Sequence, residues 1–154
     1  MIIIKQAISE DLIQKIQELF LEYANYLNIN LDFQNFDEEL RTLPGNYAPP
    51  EGCLLLAYYE NRLAGCVGLR KFKNDICELK RLYIRSDFRK KKIGKTLSEA
   101  IILKAKEIGY RLIRLDTLSF MKEAINLYLS LGFKIIPPYR YNPFEDAIFF
   151  ELQL

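Results

Sequence analysis

RSDFRKKKIGKTL, residues 85–97, is the stretch that decides the fold. A predicted strand ends near Ile84, and a predicted helix begins near Lys92, so four consecutive cations, Arg89–Lys92, occupy the turn between them. The first turn of a helix has unpaired N–H groups and partial positive charge, which together bind phosphate. Gly94 has no Cβ and lets a ligand approach the backbone closely. A solvated lysine patch is the alternative, but the position at a strand-to-helix turn favours a polyanion site.

The surrounding sequence predicts alternating strands and helices. Helical spacing of apolar residues predicts helices at 10–28, with Ser9 as N-cap, and at 92–108, with Gly109 as C-cap. Shorter helices are expected at 36–43 and 121–131. Short apolar runs bounded by turn residues predict strands at 2–5, 53–59, 62–72, 76–84, 111–117, 133–136 and 146–154.

The connections between these elements indicate how the strands pair. Tight turns at Glu60-Asn61 and Lys73–Asp75 join three strands into an antiparallel meander. The strand–helix–strand order between residues 76 and 117 implies one parallel pair inside a largely antiparallel sheet.

Composition narrows the possible functions. The 154 residues suit one domain, 1–154, and the net charge of +2 is too small for a protein that coats nucleic acid. The chain has no histidine, which excludes Ser-His-Asp and HExxH sites. Three isolated cysteines, Cys53, Cys66 and Cys77, are expected to be buried free thiols. No apolar run is long enough to cross a bilayer, and no signal-peptide pattern is present, so a cytoplasmic location is expected.

Three blocks of sequence, in their order and spacing, closely resemble the GNAT family of acyl-CoA-dependent N-acetyltransferases. They are residues 78–84 (ELKRLYI), 89–94 (RKKKIG) and 127–133 (LYLSLGF). The resemblance implies a mixed α/β (α+β) fold, with a mostly antiparallel central sheet of about seven strands, a central parallel pair and flanking helices. It also implies acetyl-CoA as cosubstrate, with its pyrophosphate held by backbone amides of the basic loop.

The resemblance assigns the cofactor site to two segments and one further residue. Pantetheine would pair with the backbone of the third meander strand, which in this family splays away from its neighbour, and the pyrophosphate would lie on the basic loop. The cofactor-binding residues are therefore predicted to be Leu82, Tyr83, Ile84, Arg89, Lys90, Lys91, Lys92, Ile93, Gly94 and Met121.

Two of these positions depart from the family pattern. Lys92 stands where the family has the first glycine of its loop, and we expect ordinary helical backbone angles there, since the position falls at the helix start. Met121 stands where many relatives carry a cofactor-binding asparagine, so it can pack against the cofactor but donates no hydrogen bond. These departures keep open a second possibility, a catalytically weak domain that holds CoA as a sensor.

Two residues are predicted to be catalytic. The family places a tyrosine at the position of Tyr128, beside the CoA sulfur, where a phenol can donate a proton to the departing thiolate. Relatives often use a carboxylate on the strand of Glu78 to take the amine proton through water. The alternative for Tyr128 is core packing, and for Glu78 an ion pair with Lys80 or Arg70. Backbone N–H groups around Leu82–Ile84 would stabilise the oxyanion.

Strand alternation orients the side chains of the third meander strand. It predicts that Glu78, Lys80, Leu82 and Ile84 share one face of the sheet, and that Leu79, Arg81 and Tyr83 share the other.

The sequence specifies the acceptor amine less closely than it specifies the cofactor. The first helices and the loops at 44–50 and 137–146 would build its site, and they supply Tyr23, Tyr26, Tyr47, Tyr139, Arg140 and Tyr141. Aromatic walls suit apolar or cationic groups, and Arg140 could clamp a carboxylate. A small amine is the expected substrate, with a protein N-terminus or lysine as the alternative. Neither nucleic acid nor a membrane is an expected partner, and a homodimer is left open.

Overall fold

The computed structural model describes residues 1–28 and 35–154. Its strands are β1 (Ile2–Gln6), β2 (Cys53–Tyr59), β3 (Arg62–Lys73), β4 (Ile76–Ile84), β5 (Leu112–Leu118), β6 (Lys134–Ile136) and β7 (Ala147–Gln153). Its helices are α1 (Glu10–Leu27), α2 (Phe36–Arg41), α3 (Ile93–Ile108) and α4 (Lys122–Ser130). The predicted order of elements is confirmed, and most boundaries differ by one or two residues.

The seven strands form one sheet in the order β1-β2-β3-β4-β5-β7-β6. All neighbours are antiparallel except β4 and β5, which α3 connects and which run parallel. The predicted mixed sheet with a central parallel pair is therefore confirmed.

Two hydrophobic clusters lie on opposite faces of this sheet. Strand β2 shows the period of two directly, since Cys53, Leu55 and Ala57 belong to one cluster and Leu54 and Leu56 to the other. The first cluster packs against α3 and α4, and the second against α1 and α2. The predicted apolar stripe of α3 lies in the first cluster, with Ile93, Leu97, Ile101 and Ala105 fully buried and Ala100 and Ile108 at its border.

Local signals explain where α1 and α3 end. The Ser9 Oγ atom accepts a hydrogen bond from the Leu12 N–H at the start of α1, as the sequence predicts. Gly109 ends α3 with a φ of 109°, a conformation that glycine adopts without a Cβ clash. The three cysteines are buried and free, as expected. Across residues 1–28 and 35–154, no helix combines the length and apolar character that a bilayer crossing requires.

Candidate active site

The parallel strands β4 and β5 separate after a short paired segment. Their register pairs only Ile76–Glu78 with Leu112–Arg114, although β4 continues to Ile84 and β5 to Leu118. Beyond Glu78, β4 stays paired with β3, and β5 stays paired with β7. The sheet therefore opens into a wedge-shaped gap at its centre, as the family resemblance implied.

A β-bulge shapes the β4 side of this gap. Cys66 pairs with Tyr83 and Gly68 pairs with Lys80, so two residues of β4, Arg81 and Leu82, lie opposite one residue of β3. Arg81 has a φ of 59°, which an extended strand does not allow. The bulge re-aims the side chains that follow it and exposes backbone groups to the gap.

The bulge makes the predicted alternation of β4 wrong. Leu82 and Ile84 pack against the same cluster as Leu79, on the α3 face. Tyr83 packs against the opposite cluster, and the Arg81 guanidinium lies 5.3 Å from the centre of the Phe36 ring on that same side. One extra residue in a strand reverses every later position, because side chains alternate with a period of two.

An open cleft of about 510 Å³ extends from the gap to the start of α3. Nine of the ten predicted cofactor residues line this cleft: Leu82, Tyr83, Ile84, Arg89, Lys90, Lys92, Ile93, Gly94 and Met121. The tenth, Lys91, is not among the lining residues, and its Nζ lies 5.1 Å from the centre of the Tyr59 ring. Tyr23 and Tyr26 of α1 and Phe120 also line the cleft.

The start of α3 presents free backbone donors to the cleft. The first hydrogen bond of the helix runs from the Thr96 N–H to the Lys92 carbonyl, so the N–H groups of Ile93, Gly94 and Lys95 have no partner within the helix. No side chain caps this end. A Cβ on Gly94 would come no closer to the protein than 3.5 Å, to Leu127 Cδ2, so the packing itself has room for a side chain there. The space beside Gly94 belongs to the cleft and suits a phosphate group.

Lys92 has a left-handed conformation, with a φ of 64° and a ψ of 20°. The expectation of ordinary helical angles is therefore wrong. The loop must turn sharply between the extended Arg89 and the helix, and Lys90 also has a positive φ, 63°. A residue with a Cβ adopts this conformation at a cost of about 1–2 kcal/mol.

Arg89 connects the basic loop to β4 and α1. Its Nε donates to the Ile84 carbonyl oxygen over 3.2 Å, and its Nη1 lies 3.4 Å from the Tyr26 hydroxyl. The guanidinium carbon is 4.5 Å from the centre of the Tyr26 ring, within the range of a cation–π contact. These contacts hold a cation at the edge of the cleft.

Tyr128 lies at the inner end of the gap. With Leu82 and Met121 it lines a narrow cavity between β4 and β5, and the residue is 5% exposed. Its ring packs edge-on against Phe133. Burial raises the pKa of Tyr128, so its hydroxyl keeps its proton throughout the neutral range.

Met121 packs at the boundary between the cleft and the narrow cavity. It precedes the first residue of α4, and its Sδ atom lies 3.3 Å from the Thr117 Oγ1, which donates to it. Thr117 lines the narrow cavity and was not predicted from the sequence.

Glu78 is buried at the point where β4 and β5 separate, with 1% of the residue exposed. Arg70 Nε donates to its Oε1 over 3.1 Å, and the Tyr139 hydroxyl donates to its Oε2 over 2.6 Å. Arg140 Nε lies 3.3 Å from Oε2. Burial acts to raise the pKa of Glu78, but Lys80, Arg140, Arg70 and the Tyr139 hydrogen bond outweigh it, so the pKa is lowered. The ion pair with Arg70, one of the alternatives from the sequence, is present.

A second buried carboxylate, Asp116 of β5, holds the 137–146 loop over the gap. Arg140 Nη2 donates to both of its oxygens, over 3.0 and 3.1 Å, and the Asn142 amide donates over 3.1 Å. Burial opposes ionisation of Asp116, but Lys80, Arg140 and these hydrogen bonds lower its pKa overall. The sequence analysis missed Asp116 and Asn142. The one signal was a single carboxylate inside the apolar run of β5.

The six residues predicted around the acceptor divide into separate groups. Tyr23 lines both the cleft and the narrow cavity, and Tyr26 lines the cleft mouth. Tyr139 and Arg140 bind Glu78, and Tyr47 lies with Arg140 in a separate polar cavity. Tyr141 is 72% exposed and lines none of these spaces.

Comparisons with known proteins identify the relatives of this chain. The sequence model of the acetyltransferase (GNAT) family matches residues 11–133. An uncharacterized N-acetyltransferase of Dictyostelium discoideum is 35% identical, with 92% of this chain and 94% of the relative covered. A GNAT-family acetyltransferase of Staphylococcus aureus shares the fold, with a TM-score of 0.80, 26% identity and 99% of each chain covered. A Bacillus subtilis acetyltransferase, solved in complex with CoA, superposes with a TM-score of 0.72 at 22% identity over 100% of this chain and 99% of that chain.

Proposed function

The chain belongs to the GNAT family and is an acetyl-CoA-dependent N-acetyltransferase, and from this premise we propose that it acetylates the primary amine of a small molecule in the gap between β4 and β5. The observation that carries the proposal is the geometry of that gap. A protonated, buried tyrosine lies at its inner end, and unpaired helix N–H groups lie at the adjoining cleft, which shares Tyr23, Leu82 and Met121 with the narrow cavity.

The basic loop would hold the pyrophosphate of acetyl-CoA. The N–H groups of Ile93, Gly94 and Lys95 are available as donors, and the ammonium groups of Lys90 and Lys92 line the same cleft. The left-handed backbone of Lys92 allows the chain to enter the helix with these N–H groups directed toward the cleft. The edge of β4 at Leu82–Ile84, where β5 no longer pairs, would bond the amide groups of pantetheine.

The chain's own groups would act on the acetyl transfer as follows. The substrate nitrogen attacks the thioester carbonyl, a C–N bond forms, and the C–S bond breaks. Backbone N–H groups at the bulge would stabilise the negative charge on the carbonyl oxygen. Tyr128 would donate its proton to the sulfur as the thiolate leaves. A phenol with a raised pKa still carries the proton that this step requires.

Removal of the amine proton is assigned to Glu78, acting through water. The carboxylate is ionised at neutral pH, because its pKa is lowered. The same lowering makes it a weak base, and Arg70 and Tyr139 occupy one position on each oxygen. The competing possibility is that the amine loses its proton directly to solvent, and that Glu78 only holds Tyr139 and Arg140 in position beside the gap. The pH dependence of the rate distinguishes the two.

The experiment is acetyl-CoA turnover against a panel of small amines, with free thiol as the readout and mass spectrometry of the product. We expect enzyme-dependent thiol release matched by a stoichiometric amount of acetylated amine. Tight acetyl-CoA binding without turnover on any amine would contradict catalysis and support a CoA sensor. Turnover only on protein N-termini or lysines would contradict the small-molecule acceptor.

A further inference from the structure

Lys80 of β4 is a buried basic residue to which the proposed mechanism gives no part. The residue is 5% exposed, and it lines the narrow cavity between β4 and β5 together with Asp116 and Tyr128. Glu78, the base of the proposed function, lines the separate polar cavity and is not among the residues that line the narrow one. Lys80 therefore borders the space in which the amine would react, and Glu78 does not.

The register of β4 with β3 places Lys80 and Glu78 on the same face of the sheet. Glu78 pairs with Arg70, and Lys80 pairs with Gly68, two positions away on β3; both pairs precede the bulge. A Cβ on Gly68 would lie 2.8 Å from the Tyr47 ring, which belongs to the cluster under α1 and α2. The Lys80 side chain therefore lies on the side of the sheet opposite to α3, where the acceptor is expected to bind.

The carboxylates and guanidinium groups on this face balance one another in charge. In the part of the chain that the structure describes, ion pairs of 3.0–3.5 Å connect three carboxylates with three guanidinium groups: Arg70 and Arg81 with Glu39, Arg70 and Arg140 with Glu78, and Arg140 with Asp116. A protonated Lys80 adds a fourth positive charge to three negative ones. Arginine keeps its proton at every pH at which the protein is folded, so Lys80 is the cation of this group that can lose one.

Burial has the largest effect on the protonation of Lys80, and it lowers the pKa of the ammonium group well below its usual value. The charges of Arg81 and Arg140 lower this pKa further, whereas those of Glu78 and Asp116 act in the opposite direction. The environment therefore favours the neutral amine of Lys80, whose nitrogen has a lone pair for a proton.

The other titratable groups that line the narrow cavity are less suited to take up a proton. Burial raises the pKa of the Tyr23 and Tyr128 hydroxyls, so both are neutral acids at neutral pH. The pKa of Asp116 is lowered, and both of its oxygens accept hydrogen bonds from Arg140. A neutral lysine amine is a stronger base than such a carboxylate.

We propose that Lys80 is the first acceptor of the amine proton, in place of the water between the amine and Glu78. This inference rests on the proposed function, since it assumes that an amine is acetylated in the gap. The acceptor enters as an ammonium group and transfers one proton to Lys80 Nζ, and the carboxylates of Glu78 and Asp116 stabilise the resulting lysine ammonium. The neutral amine then attacks the thioester and loses its second proton, which replaces the proton that Tyr128 donates to the sulfur. Lys80 releases its proton to water before the next turnover.

Lys80→Arg is the central variant, because arginine keeps the positive charge but takes up no further proton. We expect kcat/KM for the acceptor to fall by about a hundredfold or more at neutral pH. The loss should become smaller above the pKa of the acceptor amine, where the acceptor has already lost its proton. Lys80→Met, which removes the charge as well, should lose as much, and the dissociation constant of acetyl-CoA should stay the same in both. The matched control is Lys71→Arg, since Lys71 pairs with Glu51 and lines neither the narrow cavity nor the cleft, and its pH profile should equal that of wild type.

A titration of the folded wild-type protein tests the protonation of Lys80 without turnover. The carbon NMR signal of the Lys80 Cε atom, assigned by its absence from the spectrum of Lys80→Met, is followed as the pH is raised. We expect it to shift at a lower pH than the signals of the exposed lysines. A Lys80 signal that shifts together with those of the exposed lysines would overturn the proposal, whether or not the variants fold.

The failures of the two proposals can be told apart. A folded Lys80→Arg protein with nearly wild-type kcat/KM, or with the same loss at every pH, would overturn the role of Lys80 as proton acceptor and leave amine acetylation intact. Absence of acetylation on every amine by the wild-type protein would overturn the proposed function, and the role of Lys80 with it.

Discussion

Replacing Tyr128 with phenylalanine should separate catalysis from stability. Tyr128 is 5% exposed, and its ring keeps its contacts with Phe133 and Phe150 in the variant. The free energy of unfolding should therefore change by less than about 1 kcal/mol. If Tyr128 donates the proton to the thiolate, kcat should fall by roughly a hundred- to ten-thousand-fold. That loss corresponds to about 2.7–5.4 kcal/mol of activation free energy.

Tyr110→Phe is the matched control. The Tyr110 hydroxyl donates to the Glu51 carbonyl oxygen over 2.6 Å, away from the gap. Its removal should lower the free energy of unfolding by about 1 kcal/mol, or Tm by about 2–4 °C, and leave kcat unchanged. The assays are thiol release under saturating acetyl-CoA and thermal unfolding of each variant.

The pH dependence adds a second check on Tyr128. Because its pKa is raised, the group remains protonated as the pH passes the ordinary tyrosine value of about 10. The wild-type rate should therefore show no decrease at that pH from loss of this proton. A Phe variant with nearly wild-type kcat would refute the acid role and leave Tyr128 as a packing residue.

Four further predictions concern the loop and the buried carboxylates. Lys92→Gln should weaken acetyl-CoA binding about two- to fivefold and reduce its salt dependence, whereas Lys91→Gln should not, as calorimetry at two salt concentrations will show. Lys92→Gly should raise the free energy of unfolding by about 0.5–1 kcal/mol in urea titrations, because glycine adopts the left-handed backbone conformation at this position without strain. A decrease would contradict the conclusion that Lys92 is strained. If Glu78 is the base, Glu78→Gln should lose rate mainly at low pH and converge with wild type at high pH. A ratio of variant to wild-type rate that stays constant across the pH range would instead indicate that Glu78 only holds Tyr139 and Arg140 in position. Because the pKa values of Glu78 and Asp116 are lowered in the folded protein, their ionised forms stabilise the fold above about pH 4, and this stabilisation is lost as the pH falls through the folded-state pKa values. The urea concentration at the unfolding midpoint should therefore decrease less on acidification in Glu78→Gln and in Asp116→Asn than in wild type.

Local sequence signals predicted most of the fold because they act over short distances. The apolar stripe of α3, the Ser9 cap and the tight turns between β2, β3 and β4 depend on residues within a few positions of one another. The parallel pairing of β4 with β5 followed from the helix between them. Each of these features is confirmed.

The errors arose where backbone geometry depends on partners distant in sequence. The bulge at Arg81 exists because β3 and β4 pair with unequal numbers of residues, and no residue type in β4 signals it. The left-handed angle at Lys92 follows from the entry direction of the whole loop rather than from lysine's own preference.

The buried ion network was only partly predictable. Tyr139 lies 61 residues from Glu78 in sequence, and Arg140 lies 24 residues from Asp116. Charge and spacing alone do not show which cation reaches which carboxylate. Arg70 could be named in advance because it is the cross-strand partner of Glu78 in a predicted hairpin.

Product formation by the purified protein is the most direct test of acetyl transfer in the gap. Acetyl-CoA and the panel of small amines are incubated with wild-type protein and, in parallel, with Tyr128→Phe, and acetylated product and free thiol are measured in the same samples. We predict equal amounts of product and thiol with wild type, and a rate at least about a hundredfold lower with the variant. Thiol release without acetylated amine, or equal product from both proteins, would contradict catalysis by Tyr128 in the gap.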